Sequence, residues 1–133
     1  MFAAAYSERP GTPATKLADD VPAAEKRRRL VGLLDLQEGI GLDRNRAWVG
    51  RETEVLVDTV VPPKQHDHED EEAAGASESR DAFAHLPDGL AHLAGRSREN
   101  KLVHVAGTPG LVGSLVRVRV EHAGPYALRG TLA

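Results

Sequence analysis

Residues 115–120 alternate without a break: Val116, Val118 and Val120 fall on one side, Leu115, Arg117 and Arg119 on the other. A period of two with β-branched residues on one side describes a strand with one buried face, and it does not fit a helix, whose period is 3.6. The same pattern occupies residues 49–57, where Thr53, Val55 and Val57 oppose Glu52, Glu54 and Leu56, and it stops at Val61-Pro62-Pro63. Lys101-Leu102-Val103-His104-Val105 supplies another strand, and residues 126–132 a last short one. Gly107-Thr108-Pro109-Gly110, Gly124-Pro125 and Gly130 mark the turns. Several short strands within about 80 residues, sharing a valine-rich face, predict a small antiparallel β-barrel.

The chain before residue 49 follows another rule. Arg9-Pro10-Gly11-Thr12-Pro13 sets two prolines around a glycine and reads as a loop. Pro22 then suits a first helical turn, and Leu30, Leu33, Leu34, Gln37 and Ile40 follow at helical spacing, with Lys26, Arg27, Arg28 and Arg29 in a solvated turn. Gly39 and Gly41 each cost about 1 kcal/mol relative to alanine inside a helix, so fraying or a break is expected after Gly39. The expected fold is mainly β with an N-terminal helix: a loop-and-helix segment over residues 1–48, then a barrel over 49–133 interrupted by an insertion at 62–94.

That insertion is where the charge divides. The chain of 133 residues carries a formal −3, but residues 66–81 hold seven acids and one base, a local −6, and the remainder is +3. From Ala94 onward six bases face two acids. A run of like charges with few apolar residues cannot offset its ordering entropy, so the first half of the insertion is expected to be disordered. The basic C-terminal part is where an anionic partner belongs.

No cysteine occurs anywhere, which excludes disulfides, thiolate catalysis and any Cys-ligated zinc or iron–sulfur cluster within this chain. No apolar run approaches the roughly 20 residues needed to cross a bilayer, and the first residues lack a basic n-region, so the expectation is a cytoplasmic protein without a membrane partner. His66, His68, His85 and His92, with Asp67, Glu69 and Asp70, match no metal site of fixed geometry and read better as a solvated acidic loop. Ser77, Ser79, Ser97 and Ser114 lack a nucleophile-elbow motif, and the glycines at 107 and 110 lack the Lys-Ser/Thr of a P-loop. Neither catalytic nor metal-binding residues are assigned.

Gly95-Arg96-Ser97-Arg98-Glu99-Asn100-Lys101 stands before a strand with three cations and two hydrogen-bonding side chains. Arginine and lysine there can neutralise phosphates, and Asn100 can reach a ribose or a base edge; an ordinary solvated turn has the same composition. Arg117 and Arg119, two apart on one strand, share a face and extend the cationic surface. Aromatic platforms are scarce: Tyr126, with His104 and His122, is all the barrel offers, which favours phosphate and shape contacts over base stacking.

Two stretches together resemble one family. Tyr6-Ser7-Glu8-Arg9-Pro10-Gly11-Thr12-Pro13-Ala14, Val21-Pro22 and the helix ending Leu34-Asp35-Leu36-Gln37-Glu38 are similar to the end of the radical-SAM core of bacterial tRNA methylthiotransferases. Gly50-Arg51-Glu52-Thr53-Glu54-Val55-Leu56-Val57, then Gly95-Arg96-Ser97-Arg98-Glu99-Asn100-Lys101-Leu102-Val103-His104, resembles the TRAM domain that follows that core. Arg9 points to the branch that modifies isopentenyladenosine in tRNA, where a protein-modifying branch carries an acidic residue. On this resemblance the chain is the C-terminal third of the enzyme, and its barrel is a TRAM, OB-like one.

The resemblance implies methylthiolation of N6-isopentenyladenosine beside the anticodon, with S-adenosylmethionine and two [4Fe–4S] clusters as the family's cofactors. The cluster-binding cysteines have no counterpart in this chain. Arg96, Arg98, Asn100 and Lys101, with Arg51, Arg117 and Arg119, are the expected RNA-binding residues. The expected partner is tRNA and not DNA, and the leading expectation is a tRNA-binding fragment without catalysis of its own. Two alternatives stay open: the chain completes an active enzyme with a separate radical-SAM half, or it is a degenerate remnant.

Overall fold

In the computed structural model, which describes residues 3–62 and 82–133, the alternating runs form strands that close on one another. The strands are β1 (Glu52–Val60), β2 (Ala91–Ser97), β3 (Leu102–Gly107), β4 (Leu115–Ala123) and β5 (Ala127–Leu132), preceded by one long helix, α1 (Ala23–Arg46). The chain divides into two compact units, Met1–Gly39 and Ile40–Ala133.

In the first unit three of the four cations of the most basic run, Lys26, Arg28 and Arg29, are ion-paired. Glu25 accepts hydrogen bonds from Arg28 at 2.7 and 2.8 Å and from Arg29 at 2.7 Å. These bonds, with Arg28 foremost, hold its carboxyl down at about 2. Lys26 pairs with Asp19. Leu30 and Leu33, with Ala4, Tyr6 and Val21, line an apolar cleft of about 540 Å³. Val31, Leu33, Leu34 and Leu36 remain two-fifths exposed or more.

The second unit is the barrel, in the closed order β1-β2-β3-β5-β4. Its inward rows are the ones the alternation marks: Val55 and Val57 of β1, Val103 and Val105 of β3, Val118 and Val120 of β4, joined by Leu93 and Leu128. All eight are sealed from solvent, and Trp48 packs against them from the segment that follows α1. The pairing is antiparallel except between β3 and β5, which run parallel, with Val103 opposite Leu128. The expected small antiparallel barrel is thus present, with one parallel pair in it. The reason is topological: β5 follows β4 by the short turn at residues 124–126 and inserts between β4 and β3, which fixes its direction relative to β3.

Two further expectations change. The insertion expected over 62–94 does not extend that far, because β2 begins at Ala91 and places Leu93 in the core; residues 63–81, where disorder was expected, lie outside the described residues. Correspondingly, Gly95, Arg96 and Ser97 belong to β2 itself, and Arg98 to Lys101 form the turn of the β2–β3 hairpin. The strand has no β-branched residue, so propensity does not announce it. Small residues stand there because backbones meet: a Cβ on Gly95 would lie 2.2 Å from the Leu56 carbonyl oxygen.

Helix α1, expected to break after Gly39, instead continues to Arg46. Gly41 is not a weakness but a point of close approach, since a Cβ there would sit 2.5 Å from the Pro125 carbonyl oxygen, whereas one on Gly39 would meet nothing within 4 Å. The two glycines should therefore respond oppositely to alanine. Gly39→Ala is expected to stabilise by about 0.5–1 kcal/mol through helix propensity, and Gly41→Ala to destabilise by about 1–3 kcal/mol through overpacking. Urea unfolding of the two variants measures the difference, and effects of equal sign would refute the close approach to Pro125.

Candidate nucleic-acid interface

The register of three strands decides which charges become neighbours. Residues directly opposite in an antiparallel pair project to the same side. On β1 the outward row is Glu52, Glu54 and Leu56; opposite them on β4 stand Arg119, Arg117 and Leu115, and opposite Leu56 on β2 stands Arg96. Arg98, in the β2–β3 turn, reaches the same row through a 2.7 Å bond from its Nε to Glu54. Four of the seven sequence-derived candidates, Arg96, Arg98, Arg117 and Arg119, therefore lie on one outer face formed by β4, β1 and β2. Leu56 and Leu115 add a neighbouring exposed apolar pair, at 46% and 65% exposure.

The other three are engaged in contacts of their own. Lys101 is half-buried, and its Nζ donates to Asn45 Oδ1 at 2.8 Å. Asn45, in the last turn of α1 and 3% exposed, donates in turn to the carbonyl oxygens of Gly124 at 2.7 Å and Pro125 at 3.3 Å. The ammonium thus helps tie the end of the helix to the β4–β5 turn. Asn100 is exposed but has φ 58°, the left-handed conformation that asparagine tolerates best after glycine, and its N–H donates to the Ser97 carbonyl at 2.9 Å. It forms the bend of the hairpin. Arg51 sits at the entry to β1 with its guanidinium 6.0 Å from the centre of the Trp48 ring.

The hairpin turn that carries Arg98 is held from beneath. Ser97, 6% exposed, accepts the backbone N–H groups of Glu99 at 3.2 Å and Lys101 at 3.3 Å through its Oγ, and donates to the Glu99 carboxylate at 3.0 Å. Arg96 Nη1 donates to the Asn100 carbonyl at 3.3 Å. These bonds restrain the turn, and a restrained side chain loses less entropy on meeting any ligand than a mobile one.

Two residues of this face escaped the sequence reading. Glu52 accepts from Arg119 Nη2 at 2.9 Å, and Glu54 is paired with Arg98. Both glutamates stand in the outward row of an alternating strand, so the signal was present in the sequence; only the register shows that arginines flank that row on both sides. Arg117 lies opposite Glu54 and has no ion-pair partner among the described residues. Glu52, Thr53, Glu54 and Arg117 line a shallow groove of about 340 Å³.

Of the aromatic candidates, Tyr126 is 47% exposed in the β4–β5 turn, and His122 is exposed on β4. His104 is half-buried, its ring 2.8 Å from that of His92, which stacks on Phe83 with ring centres 4.1 Å apart. No group of three or more metal-ligating side chains occurs among the described residues, and the cysteine-free sequence offers no thiolate donors. The residues of this chain do not fit an iron–sulfur cluster. Among the described residues no helix is long and apolar enough to cross a membrane.

A five-stranded closed barrel in this strand order, with one parallel closure and a preceding helix, is an OB-like barrel. No family model matches the sequence. Curated proteins do: it is 41% identical over 116 residues to the tRNA-2-methylthio-N(6)-dimethylallyladenosine synthase of Mycolicibacterium vanbaalenii, an alignment covering 87% of this chain and 18% of that protein. The synthases of Moorella thermoacetica (37% identity, 98% of this chain, 24% of the relative) and Chromobacterium violaceum (36%, 97% and 23%) are similar along almost its whole length. The chain is thus similar, over nearly its whole length, to a C-terminal part of these tRNA methylthiotransferases. It spans about a fifth to a quarter of the length of the curated relatives it matches, less than the third that the resemblance suggested.

Proposed function

We propose that this chain is a tRNA-binding TRAM domain, the part of a tRNA-2-methylthio-N(6)-dimethylallyladenosine synthase that holds the substrate, and that it carries no catalytic centre of its own. The observation that carries the reading is the clustering of Arg96, Arg98, Arg117 and Arg119 on one outer face of the barrel. Guanidinium groups bind phosphate oxygens bidentately, and OB-like barrels are a recurrent platform for oligonucleotides. Four arginines against two glutamates leave the face cationic although the chain as a whole is acidic. The cytoplasm, where tRNA is modified, is the compartment that this reading requires.

The test is binding of labelled tRNA at low salt, followed by fluorescence anisotropy. The chain is expected to bind with an affinity that falls steeply as salt rises, and the Arg96→Ala, Arg98→Ala, Arg117→Ala, Arg119→Ala variant is expected to lose about a hundredfold with a shallower salt slope. Equal binding by the two proteins would remove the reading. A second reading is favoured by α1, whose Val31, Leu33, Leu34 and Leu36 stay exposed. Exposed apolar side chains on a helix suit docking against a radical-SAM half, which would also supply the clusters and S-adenosylmethionine that this chain has no residues to hold.

A further inference from the structure

The arginine face is not empty before RNA arrives. Glu52 occupies Arg119 at 2.9 Å, and Glu54 occupies Arg98 at 2.7 Å. A carboxylate bonded to a guanidinium stands where a phosphate oxygen would stand, and both present planar or near-planar oxygen pairs to the same donor fork. The pairs are accessible, not sealed: the side chains are 38% exposed for Glu52, 41% for Glu54, 59% for Arg119 and 74% for Arg98. Exposed pairs of this kind contribute little to stability, so the barrel does not need them to fold.

We propose that Glu52 and Glu54 are built-in counterions of the RNA site, which phosphate groups must displace, and that they set its affinity and selectivity. The inference rests on the tRNA-binding reading above. Each carboxylate competes for a guanidinium that an incoming phosphate requires, and its own charge repels that phosphate across the groove between Glu52, Glu54 and Arg117. Arg117 and Arg96 have no carboxylate partner among the described residues and engage the RNA first. The two occupied arginines engage only when the RNA backbone follows the strand closely enough to replace both glutamates. A polyanion lacking that path reaches two arginines instead of four, which is how the face discriminates against unstructured or mismatched chains.

The experiment compares the chain with its Glu52→Gln/Glu54→Gln variant, which keeps size and hydrogen-bonding shape and removes both charges. Binding of labelled tRNA and of a labelled oligouridylate is measured across about 50–200 mM salt, where neutralised phosphates register as the slope of log affinity on log salt. The variant is expected to bind about tenfold more tightly at low salt, to steepen the slope by up to about 0.7–0.9 for each additional phosphate neutralised, and to prefer tRNA over oligouridylate less strongly than the unaltered chain. Glu8→Gln/Asp35→Asn changes net charge by the same amount elsewhere, and it should alter affinity by less than about twofold.

A folded double variant with unchanged affinity and slope would overturn the inference while leaving the tRNA reading intact, provided that the four-arginine variant still loses binding. An equal rise in affinity from the control charges would overturn it as well, since the effect would then be long-range field and not displacement. Absence of tRNA binding by the unaltered chain would sink the tRNA reading and this inference together. Circular dichroism checks folding, and the two single variants, each binding about threefold more tightly, give the same answer if the double variant unfolds.

Discussion

Gly130→Ala should unfold the barrel at temperatures where the parent chain is fully native. A Cβ at this position would stand 2.1 Å from the Arg119 carbonyl oxygen and 2.8 Å from Val118 Cγ1. Neither can step aside: the carbonyl belongs to β4, whose register against β5 already shifts between Val120 and His122, and Val118 is a fully buried core residue. Overpacking against backbone is expected to cost about 3 kcal/mol or more, at the upper end of what small-to-large core changes show. For a domain of this size that is a fall of roughly 15 °C in melting temperature. Gly95→Ala, with its clash against the Leu56 carbonyl, should behave alike, while Gly110→Ala, where a Cβ would meet nothing within 4 Å, should melt within a degree or two of the parent. Differential scanning calorimetry on the three variants is sufficient, and a Gly130→Ala protein as stable as Gly110→Ala would contradict the close crossing of β4 and β5. Because β4 carries Arg117 and Arg119, tRNA binding should disappear with the fold.

Asn45→Ala is the second large effect expected. The side chain is almost fully buried and makes three hydrogen bonds, to Gly124 O, Pro125 O and Lys101 Nζ. Truncation leaves two carbonyl oxygens without their amide donor and a half-buried ammonium without its acceptor. Groups of that kind cost about 1–3 kcal/mol each when stranded, less where water re-enters, so a total near 3 kcal/mol is expected. Lys101→Ala should cost less, about 1 kcal/mol, because Asn45 retains both carbonyl partners. The pair of variants also separates structure from binding. If Lys101 serves the helix–turn junction, Lys101→Ala lowers the urea midpoint but leaves the salt slope of tRNA binding unchanged; a shallower slope with an unchanged midpoint would return Lys101 to the phosphate-binding set.

How much could be read without coordinates differs from strand to strand. β4 and β1 are legible because each buries valines on one face and solvates charges on the other, which prints a period of two into the chain. β3 carries the same signal in Val103 and Val105. β2 carries almost none. Ala91-His92-Leu93-Ala94-Gly95-Arg96-Ser97 alternates neither in hydropathy nor in branching, and its small residues are dictated by the approach of β1, a partner some forty residues away in sequence. Local propensity has no access to that distance. The helix shows the same limit in reverse: Gly41 looks like a weak point along the chain and is a point of close packing in space.

The candidate arginines stand out by residue type and by the basic excess after Ala94, and four of them share one outer face. Their pairing with Glu52 and Glu54 was not identifiable. Which glutamate meets which arginine depends on a register between strands more than forty residues apart, and a slip of one residue would turn every one of those side chains to the opposite face. The sequence alone determined the secondary-structure periods, the exclusion of thiolate-bound clusters and the sign of charge on the C-terminal strands, because each depends only on which residues are present and how they are spaced. The tertiary structure alone decided which cations remain available to an anion, since that is set by the partner each side chain meets: Lys101 meets Asn45, Arg119 meets Glu52, Arg98 meets Glu54, and Arg117 faces solvent at the edge of the groove.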